Sequence, residues 1–176
     1  MRILERLRRQ EAISRTELAQ QTGLGQATVS GIVRELLAHD LLRETRIPAD
    51  TRGRPRLALR QNPDGLLIAG AFVLIGGRVD LQIGDMGGTV LARASAQSAS
   101  PATTSDIVEA IASAYRAATA ALPGRRPTAI GVSLPAMIDG TRGLVHWLPP
   151  HPPRTEPITQ WLSEALGIPA FVDNVG

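Results

Sequence analysis

The order of apolar and polar positions predicts short amphipathic helices at the front of the chain and apolar strands behind them. Ile3, Leu4 and Leu7 share one face of a first short helix, with Arg2, Glu5, Arg6, Arg8 and Arg9 mostly on the other. Ser14 and Glu17 stand at capping-box spacing, in which the Ser oxygen accepts from the N3 amide and the Glu side chain reaches back to the cap. A second helix therefore starts here, with Leu18 and Ala19 facing inward. Gly23 ends it through a left-handed conformation that only glycine adopts cheaply. A third helix is expected from about Gln26 to His39, with Val29, Ile32 or Val33, Leu36 and Leu37 as its inner stripe. Residues 41–45 and 56–60 alternate weakly around a polar stretch, which predicts a hairpin. Three helices followed by a hairpin make a winged helix-turn-helix.

Asn62-Pro63-Asp64-Gly65 is a dense turn signal, and the expected domain boundary lies there, dividing residues 1–62 from 63–176. Three apolar runs follow, 66–74, 78–85 and 89–95. Gly76-Gly77 and Gly87-Gly88 part them, as expected for an antiparallel meander. Residues 96–105 are rich in Ala, Ser and Thr and read as loop. Residues 106–122 read as a helix whose stripe is Ile107, Ile111, Ala114 or Tyr115, and Ala118. A buried strand at 128–134, a Pro-rich loop at 149–157, a helix at 158–166 and a strand at 170–172 complete an α/β order.

Charge separates the two parts. Residues 1–60 carry twelve Arg and seven acids, a net of +5, whereas residues 61–176 carry seven Arg and nine acids, a net of −2. The front part alone has the balance of a polyanion binder. All nineteen basic residues are Arg, which fits either GC-rich coding or selection for bidentate contacts. The absence of Cys excludes disulfides and thiolate metal sites within these residues. The opening segment lacks the apolar core of a signal peptide, and no apolar run approaches the ~18 residues of a membrane span. A cytoplasmic protein without a membrane partner is expected.

With Val29, Val33 and Leu36 inward, Gln26, Ala27, Ser30 and Arg34 occupy the opposite side of the third helix. Gln26 can pair bidentately with adenine, and Arg34 can reach guanine or a phosphate. Thr28 and Ser30 suit phosphate oxygens. Ser14, Arg15 and Thr16 join this set at the start of the second helix. In Arg52-Gly53-Arg54-Pro55-Arg56, Gly allows close backbone approach and Pro fixes an extended path. The flanking guanidinium groups can then enter a narrow A·T-rich minor groove. The bland readings are a solvated helix face and a charged hairpin tip that touches nothing. His39, His146 and His151 are too scattered for a metal site, and Trp147 and Trp161 read as packing residues rather than sugar platforms.

The stretch Ile13-Ser14-Arg15-Thr16-Glu17-Leu18-Ala19, then Thr22-Gly23-Leu24, Ala27-Thr28-Val29-Ser30, Gly53-Arg54-Pro55-Arg56 and Ile130-Gly131-Val132-Ser133-Leu134-Pro135 with Asp139, resembles the ROK family of repressors and sugar kinases. The likeness is to its regulator branch, typified by xylose and N-acetylglucosamine repressors. It implies a partial actin-like, sugar-kinase-type α/β domain behind the winged helix, a homodimer on a double-stranded operator, and a sugar or sugar-phosphate effector. Family kinases open this domain with an Asp-x-Gly-Gly-Thr phosphate loop. Here Val73, Ile75 and Gly77 stand at its Asp, first Gly and Thr, so Gly76-Gly77 is expected to be a hairpin turn. Asp173-Asn174-Val175 resembles the Glu-Asn-Asp segment of the sugar site, with Val175 where the general base is expected and a valine unable to accept a proton. Asn174, Asp173 and Pro135 are the sugar-binding candidates that the resemblance implies. The family's zinc motif and second lobe would lie downstream, so no cofactor is expected within these residues, and apolar surface is expected where the missing lobe would pack. A sugar kinase, or a DNA-binding module whose second domain only dimerises, are the alternatives.

Overall fold

The computed structural model describes residues 2–10, 12–47 and 56–174. These fall into two compact units, residues 1–66 with 86–88, and residues 67–85 with 89–176.

In the first unit, α1 (Arg2–Arg9), α2 (Arg15–Thr22) and α3 (Gln26–Ala38) are followed by β1 (Leu42–Ile47) and β2 (Arg56–Gln61), an antiparallel pair. Ile13 extends that ribbon by a bridge to Leu59, with reciprocal amide–carbonyl bonds of 3.1 and 2.8 Å. The core is Ile3, Leu7, Ile13, Leu18, Ala19, Val29, Val33, Leu42 and Leu59, so every helix and both ribbon strands contribute. Of the two residues left open for the α3 stripe, Val33 is fully buried, and Ile32, Leu36 and Leu37 are only partly so. The α2 capping box is present in full, and Gly23 closes the helix at φ 70°. At the ribbon's base, Asn62 is fully buried. Its side-chain NH2 donates to the Asp40 carbonyl at 2.7 Å, and its side-chain oxygen accepts from the Asp64 amide. A β-carbon at Gly65 would collide with that same Asp40 carbonyl, so the 62–65 turn seats against the end of α3.

In the second unit a five-stranded sheet has the order β5-β4-β3-β6-β9, built from β3 (Leu67–Val73), β4 (Arg78–Asp85), β5 (Val90–Gln97), β6 (Ala129–Leu134) and β9 (Ala170–Asn174). The meander β3–β5 is antiparallel, whereas β6 and β9 run parallel to β3 and to each other. The parallel crossovers pass through α4 (Thr104–Ala120) and α5 (Ile158–Leu166), and both helices share one core with the inward residues of the sheet. The other side of the sheet carries no helix among the described residues. Ile68, Phe72 and Phe171 are exposed on it, 44, 40 and 65 % respectively.

Two expectations need correction. The loop expected at 96–105 is shorter at both ends, since residues 96 and 97 belong to β5 and residues 104 and 105 to α4. The Thr103 hydroxyl accepts from the Asp106 amide at 3.2 Å while the Asp106 carboxylate accepts from the Thr103 amide at 2.9 Å, a second capping box that starts the helix early. The other correction is an unforeseen hairpin, β7 (Met137–Asp139) with β8 (Leu144–Trp147). Asp139 holds its turn by accepting from the Arg142 and Gly143 amides.

Candidate nucleic-acid interface

α3 is placed to be read from one side only. Val29 and Val33 are 0 % exposed, so the helix cannot rotate without removing two valines from the core. That leaves Gln26, Ala27, Thr28 and Arg34 exposed and Ser30 half-buried. Sequence reasoning passed over Glu35, which is also exposed and is the one acid on α3. A lone carboxylate next to the helix's one arginine was the available signal, and such a group can accept from cytosine N4. Gly25 caps α3 without any side-chain hydrogen bond, so the first amides of the helix are left for an anion.

The three candidates at the start of α2 differ in availability. The Ser14 amide and hydroxyl both donate to Glu17 Oε2, at 2.8 and 2.7 Å, and its oxygen accepts from the Glu17 amide. Arg15 pairs with Glu44 Oε1 at 2.7 Å, bracing α2 against β1. Thr16 is exposed and makes no side-chain hydrogen bond among the described residues. Arg52, Gly53, Arg54 and Pro55 lie outside the described residues. Arg56 opens β2 by its backbone, and its side chain lies outside them too. Between its strands the described ribbon adds exposed Arg43, Arg46 and Arg60; Arg43 and Arg60 are directly opposed, and Arg43 is paired with Asp64 at 3.5 Å.

The sugar candidates sit at the carboxyl ends of neighbouring parallel strands, where open α/β sheets place their ligands. Asp173 and Asn174 end β9, in register with Ser133 and Leu134, and Pro135 follows β6. Pro135 and Asp173 line different hollows among the described residues. Pro135 lines an apolar cavity of about 600 Å³ with Gly76 and Gly77, whereas Asp173 lines a shallow hollow on the bare face of the sheet. The Asp173 carboxylate already accepts from the Asn174 amide at 2.8 Å. In the Gly76-Gly77 turn, the Gly77 amide donates to the Leu74 carbonyl at 3.0 Å, and Gln97 Nε2 holds the Gly76 carbonyl at 2.7 Å. The turn thus closes a hairpin, and at least one of its amides is spent within it.

His146 and His151 each have local partners, Thr155 Oγ1 and the Ala102 carbonyl, and no group of three metal-binding side chains occurs among the described residues. The Trp147 indole donates to the His151 carbonyl at 2.8 Å, although 40 % of the residue is exposed. No helix among the described residues is long and apolar enough to cross a membrane.

The MarR family model matches residues 1–53. The uncharacterized protein y4fQ of Sinorhizobium fredii is 29% identical over 99% of this chain and 45% of its own length. Among solved structures, a ROK family transcriptional regulator described as a homologue of the E. coli MLC protein superposes with a TM-score of 0.75 at 25% identity, over 98% of this chain and 45% of that one. A ROK family glucokinase from Streptomyces griseus, in complex with glucose and AMPPNP, matches 61% of this chain and 33% of its own, with a TM-score of 0.52 at 25% identity. A polyphosphate/ATP-glucomannokinase from Arthrobacter gives 0.53 over 62% of this chain and 44% of its own, also at 25% identity. The chain spans less than half the length of each of these relatives. Over nearly its whole length it resembles a ROK family transcriptional regulator, a winged helix-turn-helix followed by part of a sugar-kinase-like α/β domain.

Proposed function

We propose that this chain is the operator-reading part of a sequence-specific transcriptional regulator, a repressor that acts as a homodimer on a pseudo-palindromic duplex. The observation that carries the reading is the fixed rotation of α3, with Val29 and Val33 buried and Gln26, Thr28 and Arg34 outward beside an uncapped helix start. α3 would lie in the major groove with its first residues on base edges, and the segment around Arg54 would enter the adjacent minor groove. Similarity to the ROK regulator and the match to the MarR model support it. The second unit would sense a sugar through the strand ends that carry Pro135, Asp173 and Asn174. Binding would then shift the dimer to a geometry whose two helices no longer fit successive grooves.

The test is selection of bound duplexes from a random pool, followed by gel shifts. A palindromic consensus is expected, and Gln26→Ala should cost about 1–3 kcal/mol at a single base position while leaving the others intact. Retention of every duplex with equal affinity would overturn the reading. A kinase reading draws on the partial match to the glucokinase, which covers 61% of this chain. It requires glucose-dependent ATP turnover in a coupled assay, and Val73 stands where the phosphate loop would need a carboxylate.

A further inference from the structure

The geometry points to a second ligand site in the α/β unit, an arginine-lined pocket at the end of α4 that takes the phosphate monoester of a small metabolite. Three of the seven arginines in residues 61–176 line one concavity of about 560 Å³: Arg116 on α4, and Arg125 and Arg126 on the loop leading to β6. Tyr115 adds a hydroxyl group, the Thr119 hydroxyl already donates to the Tyr115 carbonyl at 2.8 Å, and Leu166 from α5 adds an apolar wall. No carboxylate lines it. The nearest one along α5, Glu164, accepts from Gln160 Nε2 at 2.8 Å. Arg116 and Arg126 are exposed.

The pocket is built in advance of any ligand. Successive turns hold the loop, with Ala121 donating to the Ala118 carbonyl, Leu122 to Thr119 and Arg125 to Leu122, at 3.3, 3.0 and 3.1 Å. Gly124, at φ 76°, then reverses the chain so that Arg125 and Arg126 follow at once. Arg126 lies close enough to Tyr115 for its charge to favour the phenolate, against the upward pull of burial. The plain explanation, arginines placed to offset the carbonyl end of α4, accounts for too little, because a helix end carries only about half a unit charge against the two exposed guanidinium groups of Arg116 and Arg126.

A phosphate dianion fits the fork geometry of guanidinium groups, and the volume suits a small molecule. The concave shape favours such a molecule over a duplex backbone, as does the net charge of −2 on residues 61–176. This site is not the strand-end region considered above. The loop enters β6 and the end of α5 enters β9, so the pocket lies at the amino ends of those strands, a strand length of about 17–20 Å from Asp173. Only its use as a control point rests on the regulator reading; binding does not.

The whole chain, free of DNA, is titrated calorimetrically with glucose 6-phosphate, glycerol 3-phosphate, inorganic phosphate and glucose. The same titrations are run on Arg116→Gln, Arg126→Gln and the double variant, each checked by thermal melting. Saturable binding of at least one phosphate ester is expected, weakened tenfold or more by each single variant, partly restored by Arg126→Lys and absent with glucose. No saturable binding of either ester, equal affinities in wild type and double variant, or glucose binding as tightly as its phosphate would overturn the site. So would a loss of duplex affinity in the variants without ester binding, which would assign the cluster to nucleic acid. Failure of the operator selection would leave these titrations unaffected, so the two readings fail separately.

Discussion

Asn62 shows how one buried amide can set the base of the β1–β2 ribbon. It is sealed from solvent, and both ends of its side-chain amide are used, one on the Asp40 carbonyl and one on the Asp64 amide. Asp40 itself sits at φ 56°, an uncommon conformation for a residue with a side chain, so the turn after α3 relies on this contact. Asn62→Ala should destabilise the chain by about 1–3 kcal/mol in urea unfolding, because an orphaned carbonyl and a void are left together. Among the exposed residues of α3, Arg34 and Glu35 are neighbours of opposite charge. Arg34→Ala is expected to weaken operator binding, whereas Glu35→Gln should tighten binding to unrelated duplexes by removing repulsion from phosphates. Gel shifts at fixed salt against specific and random DNA check both.

Among the elements, the helices of the first unit were the most legible, since Ser14, Glu17 and Gly23 mark α2 at both ends and a 3.6-residue stripe marks α3. α4 was misread at its start because its box uses Asp106 in place of the more familiar Glu, within a stretch of small polar residues that resembles loop. The β7–β8 hairpin escaped because its strands are three and four residues long, too short for a period of two to emerge. The site was legible in part. Buried valines identify the outward face of α3, but no pattern in the sequence says that Glu44 will take up Arg15, a contact between distant segments.

The cap of α4 also carries a pH dependence. Hydrogen bonds from Thr103 hold the Asp106 carboxyl below its ordinary range. Its contribution is therefore present above the unfolded value of about 4 and is lost as pH falls through the lower folded one. The stability difference between wild type and Asp106→Asn, followed by circular dichroism melts, should be constant near neutrality and vanish in acid. Thr103→Ala should cost roughly 1 kcal/mol at neutral pH. For the ribbon, Arg54→Ala is expected to weaken binding, relax A·T preference beside the half-site and reduce the salt slope by about one ion. An unchanged slope and preference would remove the minor-groove role.

At the scale of the whole molecule, charge and topology divide the work. In the proposed reading, the net +5 of residues 1–60 would supply attraction to a duplex, and the mixed sheet of the second unit would offer strand ends and pockets for small ligands. The strand order was not legible. A meander followed by two crossovers is compatible with several arrangements until β6 is seen to add beside β3. Both crossover helices pack on the same side, which leaves the other side of the sheet uncovered among the described residues. Handling of the chain in solution should be governed by that side more than by the first unit. Phe171→Asp, at a residue 65 % exposed, ought to raise the concentration at which light scattering stays flat without lowering the melting temperature. Dye that fluoresces on greasy surfaces should bind the unaltered chain more brightly than this variant.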